Sequence, residues 1–410
     1  MIAATQDIAA PVVVVGGGPA GMMCALLLSR AGVPVTVLEK HADFLRDFRG
    51  DTVHPSTLEL FHELGWLDEL LTLPHSRVEE VGVRVAGQFC RLASLRGLPV
   101  AAPFIAMMPQ WDLLDFLAAK GRLYPGFDLR LSTEAVGVTM NGQGRVDGVR
   151  LASGEALAAR LVIAADGRRS VLRKEAALPL DVLGAPMDVF WFRLDKPGEL
   201  AGETFGVLAA GRFLVMIDRR DYFQCAYLLR KGEANRVRAR GLGSFREELR
   251  TLVPELRPAL DALTGWDQVK LLDVALDRLT RWHRPGLLAI GDAAHAMSPI
   301  GGIGINLAVQ DAVAAANVLS EPLACGEDPD PLLSQVQACR WRAVRWTQAV
   351  QKFAQDRVIE PLLTRTEPIE RPFLPLRILD KVPPLRRIPG RIIGLGIDRQ
   401  RIESPDAYRR

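Results

Sequence analysis

The first forty residues alternate between apolar runs and a cluster of glycines. Residues 12–15 predict a short buried strand, residues 22–30 a helix, and residues 33–38 a second strand that ends at Glu39. Because a helix connects the two strands, the strands are predicted to be parallel. The segment therefore predicts a βαβ unit at the start of an α/β domain.

The remaining chain divides into stretches of helical and of alternating periodicity. Helices are predicted near residues 55–72, 110–120, 243–264, 306–319 and 331–358. Strands are predicted within residues 77–108, 128–165, 186–230 and 287–292, and the longest of these stretches reads as an antiparallel sheet. The Asn141-Gly142 pair is typical of a hairpin turn.

This order of elements predicts an α/β fold in which a mixed-sheet domain interrupts a Rossmann-like domain, followed by a helical tail. We assign residues 1–75, 106–180 and 280–330 to the Rossmann-like domain. Residues 76–105 and 181–279 form the second domain, and residues 331–410 form the tail.

Composition and charge do not identify a function, but they argue against some classes of protein and site. The 410 residues are 49% hydrophobic and 24% charged, as in a globular protein of two domains and a tail. The 51 basic and 48 acidic residues nearly cancel, which gives no sign of a nucleic-acid partner. Five widely spaced cysteines predict neither a disulfide framework nor a metal site, and they favour a reducing cytoplasm.

The glycine cluster has the spacing G-x-G-x-x-G. Its first two glycines allow a tight turn and close approach of a diphosphate, and the third lets the helix pack against the strand. The helix N-terminus offers N–H groups to phosphates, and Glu39 could accept hydrogen bonds from ribose hydroxyls. We therefore predict a dinucleotide site, NAD or FAD, at Gly16, Gly18, Pro19, Ala20, Gly21, Glu39 and Lys40.

Two later segments repeat the pattern of a buried strand that ends in a glycine-containing turn. The first strand ends at Asp166-Gly167, and taken alone it also fits an ordinary capped helix. The second ends at Gly291-Asp292, where the carboxylate could bind polyol hydroxyls. A loop and the N-terminus of a helix follow this strand, and a helix N-terminus stabilises negative charge on an electron-rich ring. We predict that this segment contacts the ring of the cofactor through Pro299, Gly301, Gly302, Gly304, Ile305 and Asn306.

In this order and spacing, the three motifs resemble those of the flavoprotein aromatic hydroxylases. These are single-component FAD monooxygenases with the p-hydroxybenzoate hydroxylase fold, and the resemblance covers residues 11–325. Asp166-Gly167-x-x-Ser170-x-x-Arg173 is similar to the family's DG motif, and Gly291-Asp292 to its GD motif. The isoalloxazine loop reads Gly302-Ile303-Gly304 where the family has GQG. The resemblance also implies that Arg49 and Gln110 contact FAD.

The resemblance implies a chemistry as well as a cofactor. FAD would be held noncovalently, NAD(P)H would bind transiently to reduce it, and O₂ would form a flavin C4a-hydroperoxide. The expected reaction is hydroxylation of an aromatic or polycyclic, polyketide-like and hydrophobic small molecule. A halogenase, a prenyl-chain reductase and a non-catalytic FAD-binding protein remain alternatives, although the halogenase signature W-x-W-x-I-P is not found.

The sequence identifies the residues that contact the substrate less clearly than those that bind the cofactor. The sheet at 186–230 is expected to roof the flavin, with candidate lining residues Trp191, Phe213, Met216, Tyr222, Gln224 and Tyr227. No catalytic residue is certain, and the candidates are His54, Tyr222 and Gln224. His295 reads as a structural or supporting residue.

The tail leaves two interpretations open. Residues 368–397 mix arginines, prolines and apolar residues. They favour a helical tail packed along the FAD domain, with weak contact to a membrane or a lipophilic substrate entrance as the alternative. The oligomeric state is left open.

Overall fold

A computed structural model describes the chain over residues 10–45, 52–196, 204–219 and 221–409. The strands are β1 (Val12–Val15), β2 (Val35–Leu38), β3 (Thr52–Val53), β4 (Ser76–Val78), β5 (Glu80–Val85), β6 (Gln88–Ser94), β7 (Ile105–Met107), β8 (Phe127–Arg130), β9 (Ala135–Met140), β10 (Val146–Leu151), β11 (Ala156–Ala158), β12 (Leu161–Ala164), β13 (Leu180–Val182), β14 (Met187–Asp195), β15 (Phe205–Ala209), β16 (Arg212–Asp218), β17 (Tyr222–Arg230), β18 (Lys270–Leu272), β19 (Asp277–Leu279), β20 (His283–Arg284), β21 (Leu287–Ala289) and β22 (His295–Ala296). The helices are α1 (Pro19–Arg30), α2 (Pro55–Glu63), α3 (Leu67–Leu70), α4 (Gln110–Gly121), α5 (Val171–Glu175), α6 (Ala234–Ala239), α7 (Leu242–Leu252), α8 (Arg257–Leu260), α9 (Gly304–Ala324), α10 (Leu333–Ala354), α11 (Glu360–Thr364), α12 (Leu374–Lys381) and α13 (Arg387–Leu395).

A six-stranded sheet in the order β20-β21-β12-β1-β2-β8 forms the centre of the first domain. The five strands from β21 to β8 run parallel, and β20 pairs antiparallel with β21. Helix α1 packs against α4 and α9. The predicted βαβ unit is present, but β2 begins at Val35 because the N–H of Val33 caps α1 through the carbonyl of Leu28.

A seven-stranded sheet in the order β18-β14-β17-β16-β15-β5-β6 forms the second domain. Its pairs are antiparallel except for β5 with β15. We call the face of this sheet that carries Val189, Val215 and Ala226 its inner face, and the opposite face, packed on α7 through Phe245, its outer face. The two sheets and the helical tail confirm the predicted fold class, whereas the domain boundaries stay a prediction.

Two helix predictions are wrong in extent because of local breaks. The predicted helix 243–264 ends at Leu252, and Pro254 begins a separate 3₁₀ turn, since proline lacks the N–H that a continuing helix needs. The helix predicted near residues 331–358 ends at Ala354, and a π-helical turn over Gln355–Ile359 follows it. The sequence pattern does not distinguish strand β15 as a separate element.

The tail departs in part from its favoured prediction of packing along the FAD domain. Helices α12 and α13 pack mainly on β6, the edge strand of the seven-stranded sheet, and α13 also contacts α2 of the first domain. The tail also reaches the first domain, where the carbonyl oxygen of Ile393 lies 2.8 Å from Nδ1 of His54 and Arg30 donates to the carbonyl oxygen of Ser404 at 2.8 Å. Prolines divide this segment into short helices, so it bends along the edge of the sheet and does not form one straight helix.

One described stretch, residues 300–324, is long and apolar enough to cross a membrane by composition. It contains α9, and 67% of its most apolar window is buried inside the protein. This burial is that of a core helix, which packs against α1 and α10.

Candidate cofactor and substrate site

The three glycine-containing motifs meet at one edge of the six-stranded sheet. They follow β1, β12 and β21, which are neighbours and run parallel. A Cβ at Gly16 would lie 2.3 Å from the carbonyl oxygen of Ala165, and one at Gly291 would lie 2.9 Å from the Cβ of Ala20. Segments far apart in sequence therefore touch where ligands bind in open α/β sheets.

The first motif combines a tight contact with an open cradle. A Cβ at Gly21 would lie 2.0 Å from the carbonyl oxygen of Gly16, so only glycine lets α1 approach the turn. A Cβ at Gly18 would meet no atom within 4 Å. The adjoining N–H groups of Ala20 and Gly21, in the first turn of α1, have no acceptor within the helix. This cradle fits a diphosphate.

Glu39 lies beside that cradle at the end of β2. Its Oε2 accepts from the N–H of Gly17 at 3.0 Å, and its Oε1 accepts from the N–H of His41 at 3.0 Å. The side chain is buried, and Lys40 beside it is exposed. These bonds hold the carboxylate against the glycine turn, in the position predicted for ribose recognition.

Asp166 caps the helix that follows β12. Its Oδ2 accepts from the N–H groups of Val171 and Leu172 at 2.8 and 3.2 Å. Burial raises the pKa of this carboxyl, against the opposing effect of its hydrogen bonds. Its Oδ1 is buried without a partner among the described residues, and Gly167 beside it has open space. A buried acceptor next to open space fits a ligand donor.

Asp311 holds the third motif from below. Its Oδ2 accepts from the N–H of Gly291 at 3.0 Å and lies 2.6 Å from Nε2 of His295, while its Oδ1 accepts from Arg340 at 2.9 Å. Burial alone would raise the pKa of Asp311, but His295 and Arg340 bring it below its usual value. His295 thus supports the turn, and Asp292 lies half-buried in that turn.

The loop over residues 299–304, which we call the glycine loop, is clamped by Asn306. The amide oxygen of Asn306 accepts from the N–H of His54 at 2.9 Å and the hydroxyl of Thr57 at 2.7 Å. Its amide nitrogen donates to the carbonyls of Thr52 and Gly302 at 3.3 and 3.2 Å. The side chain is therefore committed to the protein, which leaves its backbone N–H, with those of Gly304 and Ile305, for a ligand.

Three glutamines on one face of α10 and the π-helical turn support the segment before this loop. Gln351 donates to the carbonyls of Ser298 and Ile300 at 3.0 and 3.1 Å and accepts from the Ser298 N–H at 3.1 Å. Gln348 donates to the carbonyl of Ala296, and Gln355 donates to the Ser298 hydroxyl. The tail thus positions the glycine loop.

His54 connects the glycine loop to α13. Its Nδ1 lies 2.8 Å from the carbonyl oxygen of Ile393, which can only accept, so Nδ1 carries the proton. Burial lowers the pKa of His54 to about 4, against a smaller opposing effect of that bond. The ring is therefore neutral, and its Nε2 is buried with no partner among the described residues.

The inner face of the seven-stranded sheet packs on the glycine loop. Ile300 joins an apolar cluster with Trp191, Phe213 and Val215. The indole Nε1 of Trp191 is buried and has no acceptor within the described residues. This face is apolar, aromatic and adjacent to the loop that would hold the flavin ring.

Tyr222 and Gln224 also lie on the inner face, but both are engaged there. The amide oxygen of Gln224 accepts from Nε and Nη2 of Arg219 at 3.2 and 3.1 Å. The Arg193 guanidinium lies 4.1 Å from the centre of the Tyr222 ring. Their candidate catalytic roles stay a prediction.

Met216 and Tyr227 are placed differently from their prediction as lining residues. Both belong to the cluster on the outer face, where Tyr227 donates to Glu248 at 2.7 Å and stands edge-on to Phe245. Successive strand residues alternate between faces, and the amino-acid types alone do not show which face meets the cofactor.

Two predicted cofactor contacts came only from the resemblance. Arg49 lies outside the described residues. Gln110 begins α4 and is half-buried. In the described ranges, no group of three His, Cys, Asp or Glu side chains could hold a metal ion.

The sequence analysis missed the supports of the site: Asp311, Arg340 and the glutamines of α10. A signal was present in the spacing of Gln348, Gln351 and Gln355, which places three amides on one helical face.

The geometry agrees with a comparison against protein families. Residues 9–350 match the model of the FAD binding domain family. The chain belongs to the FAD-dependent aromatic hydroxylase family.

Relatives in this hydroxylase family include 6-methylpretetramide 4-monooxygenase of Streptomyces rimosus, 35% identical over 80% of this chain and 79% of that protein. Rifampicin monooxygenase of Streptomyces venezuelae is 31% identical over 73% of this chain and 62% of that protein. Among solved structures, PqsL of Pseudomonas aeruginosa, a probable FAD-dependent monooxygenase, superimposes with a TM-score of 0.74 at 24% identity, covering 86% of this chain and 96% of that one.

Membership in this hydroxylase family defines the cofactor and the class of enzyme. The cofactor is FAD, and the protein is an FAD-dependent monooxygenase. The cradle at Gly18, the Glu39 carboxylate and the N-terminus of α9 are the features of this chain that fit the diphosphate, the ribose and the flavin ring.

Proposed function

We propose that this hydroxylase uses NAD(P)H and O₂ to hydroxylate an aromatic or polycyclic, hydrophobic small molecule of polyketide type. The observation that carries the proposal is that Ile300, from the glycine loop, packs on the same apolar cluster of the inner face as Trp191 and Phe213. A planar apolar substrate suits an apolar, aromatic face beside that loop. The names of two relatives, 6-methylpretetramide 4-monooxygenase and aklavinone 12-hydroxylase, support a polycyclic aromatic substrate.

The proposed reaction balances with one reduced nicotinamide per oxygen molecule. A hydride from NAD(P)H and a proton supply the electrons and hydrogens that turn one oxygen atom into water. The second oxygen atom enters a C–H bond of the substrate as a hydroxyl group. FAD, when bound, carries these electrons from the nicotinamide to oxygen, as a cofactor that supplies the redox chemistry.

The residues of the chain hold and screen these partners. The N–H groups that begin α9, at Gly304 and Ile305, would hold the flavin ring, and the positive end of the helix dipole would stabilise negative charge there. The Asn306 clamp keeps these groups in place through Thr52 and Gly302. The apolar inner face would exclude water from the reaction.

Trp191 is the polar group on that face that we assign to substrate. Its indole N–H can only donate, and a buried donor without a partner costs about 1–3 kcal/mol. A phenol or ketone oxygen of the substrate would satisfy it and fix the orientation of the ring. We therefore propose Trp191 as a residue that sets the position of hydroxylation.

We also propose that the enzyme works in a reducing cytoplasm. All five cysteines are free, and two of them, Cys325 and Cys339, are exposed. Exposed thiols persist where the surroundings are reducing.

The proposal is tested by steady-state oxidation of NADH and NADPH by the FAD-loaded protein with a panel of phenols and polycyclic aromatics under ¹⁸O₂. We expect one panel member to accelerate oxidation and to yield a product heavier by one ¹⁸O atom. A halogen atom in the product, added only with halide present, would indicate a halogenase. Addition of two hydrogens without oxygen would indicate a reductase. Oxidation that no compound accelerates would contradict substrate-controlled hydroxylation.

A further inference from the structure

We propose that residues 369–395, which we call the C-terminal strap, form a docking surface for an anionic lipid bilayer. The strap comprises α12, α13 and the 3₁₀ turn Pro383–Arg386 between them. The proposal is independent of the reaction, since it concerns the exposed side of helices that pack on β6, the edge strand of the seven-stranded sheet.

The strap turns large apolar side chains to solvent. Leu374 is 65% exposed and Ile388 is 61% exposed. Four further apolar side chains of the strap are at least 37% exposed: Phe373, Ile378, Val382 and Leu385. Six such residues within sixteen positions form a concentrated apolar surface, of the kind that marks an interaction site.

The same surface is strongly basic. The strap has six Arg or Lys residues against two Asp or Glu residues, a formal charge of +4, while the whole chain carries only +3. One of the two acids, Asp380, is turned to the sheet and accepts from the N–H of Arg91 at 3.0 Å. Five exposed cations make no ion pair among the described residues: Arg371, Arg377, Lys381, Arg387 and Arg391.

The strap is built into the protein on its other side. Leu376 packs into the cluster around Val83 and Val85, and Ile393 packs into the cluster around Leu95. A Cβ at Gly390 would lie 1.9 Å from the carbonyl oxygen of Ser94, so α13 lies directly on the β6 backbone. The inward contacts are thus satisfied without the exposed residues, whose apolar character needs another partner.

Apolar and cationic side chains on one exposed amphipathic surface match the interface of an anionic membrane. The apolar residues would enter the boundary between headgroups and acyl chains, while the cations would meet lipid phosphates. Each cation near such a surface strengthens binding, and salt weakens it. Proline breaks keep the helices short, so the strap would lie on the surface and not span the bilayer.

Co-sedimentation of the FAD-loaded enzyme with phosphatidylcholine vesicles, with and without 30% phosphatidylglycerol, tests the proposal. We expect partitioning into the anionic vesicles at 100 mM salt, at least tenfold weaker with neutral vesicles or at 500 mM salt. The double variant Leu374→Glu/Ile388→Glu should weaken it at least tenfold. The matched control is Leu123→Glu, at an exposed leucine of the first domain, which should bind as the parent does.

Flavin absorbance and sedimentation velocity accompany each variant. Retained flavin shows that a loss of vesicle binding does not come from unfolding. A parent enzyme that stays in solution with anionic vesicles would overturn the proposal, as would a double variant that binds like the control. A stable dimer that the double variant dissociates, with no vesicle binding, would assign the surface to a second copy of the chain.

Discussion

The carboxyl edge of the six-stranded sheet and the inner face of the seven-stranded sheet are built by different means. At the edge, close backbone approaches at Gly16, Gly21 and Gly291 shape the site. At the inner face, side chains such as Trp191 and Phe213 form the candidate substrate surface. Backbone sites depend on local spacing and steric limits, whereas side-chain sites depend on what packs against each face.

Replacing Asp311 tests whether the edge also depends on one buried side chain. Asp311→Asn leaves the buried Arg340 guanidinium without its ionic partner, which should cost about 3–5 kcal/mol of unfolding free energy. Chemical unfolding of the two proteins at pH 7 measures it. Asp261→Asn, in an exposed pair with Arg250, should cost at most about 1 kcal/mol. Equal losses in the two variants would contradict the role of Asp311.

His54 makes the contact between the edge and the strap sensitive to pH. In the folded protein its pKa is about 4, below the unfolded value near 6.5, so it adds stability above pH 6.5 that is lost as pH falls toward 4. The loss should reach about 3 kcal/mol. Denaturant unfolding at several pH values from 7 to 4.5 gives the unfolding free energy as a function of pH. This free energy should fall less steeply with falling pH in His54→Asn than in the parent. The exposed control His62→Asn should keep the pH dependence of the parent. The same pH dependence in His54→Asn as in the parent would show that His54 is not the pH-sensitive group.

The glutamines of α10 allow a comparison within one helix. Gln351→Met removes three bonds to the segment before the glycine loop, and Gln337→Met removes two bonds to Thr280 and Trp282. Each should cost about 1–3 kcal/mol. Only Gln351→Met should also shift the visible flavin spectrum and lower FAD affinity, by about tenfold. The same spectral shift in both variants would show a general loss of rigidity.

A tryptophan lies at each face of the seven-stranded sheet: Trp191 belongs to β14, whereas Trp266 lies outside the sheet and packs against the outer-face cluster. Trp191→Phe removes the inner-face donor, and Trp266→Phe changes a ring that packs on Phe245 at the outer face. We expect Trp191→Phe to raise KM for the accelerating compound about tenfold and to release hydrogen peroxide, with kcat less affected. Trp266→Phe should leave both unchanged. A KM that responds to neither substitution would remove Trp191 from the substrate site.

The same contrast explains what the sequence could predict. The βαβ unit and the glycine motifs follow from period and spacing, and the structure brings them together at one edge. The outer-face position of Tyr227 could not be predicted. Alternate residues of a strand point to opposite faces of the sheet, but the pattern does not show which face packs on the helices and which faces the cofactor.

The supports of the site lie at longer range. Asp311 and Arg340 are 29 residues apart in separate helices, and no local pattern pairs them. The position of the strap on β6 depends on contacts such as Gly390 with Ser94, which only tertiary packing determines.

The central claim, that open backbone at the sheet edge receives FAD, is tested most directly by FAD titration of the apoprotein and of Gly18→Ala. Gly18 has φ −79°, and a Cβ there meets no described atom within 4 Å, so alanine fits the protein alone. The methyl group would occupy the space of the diphosphate. We predict unchanged unfolding but FAD affinity lower by about a hundredfold, near 2.7 kcal/mol. Equal FAD affinity in the two proteins, or an apoprotein that binds no FAD, would contradict the account.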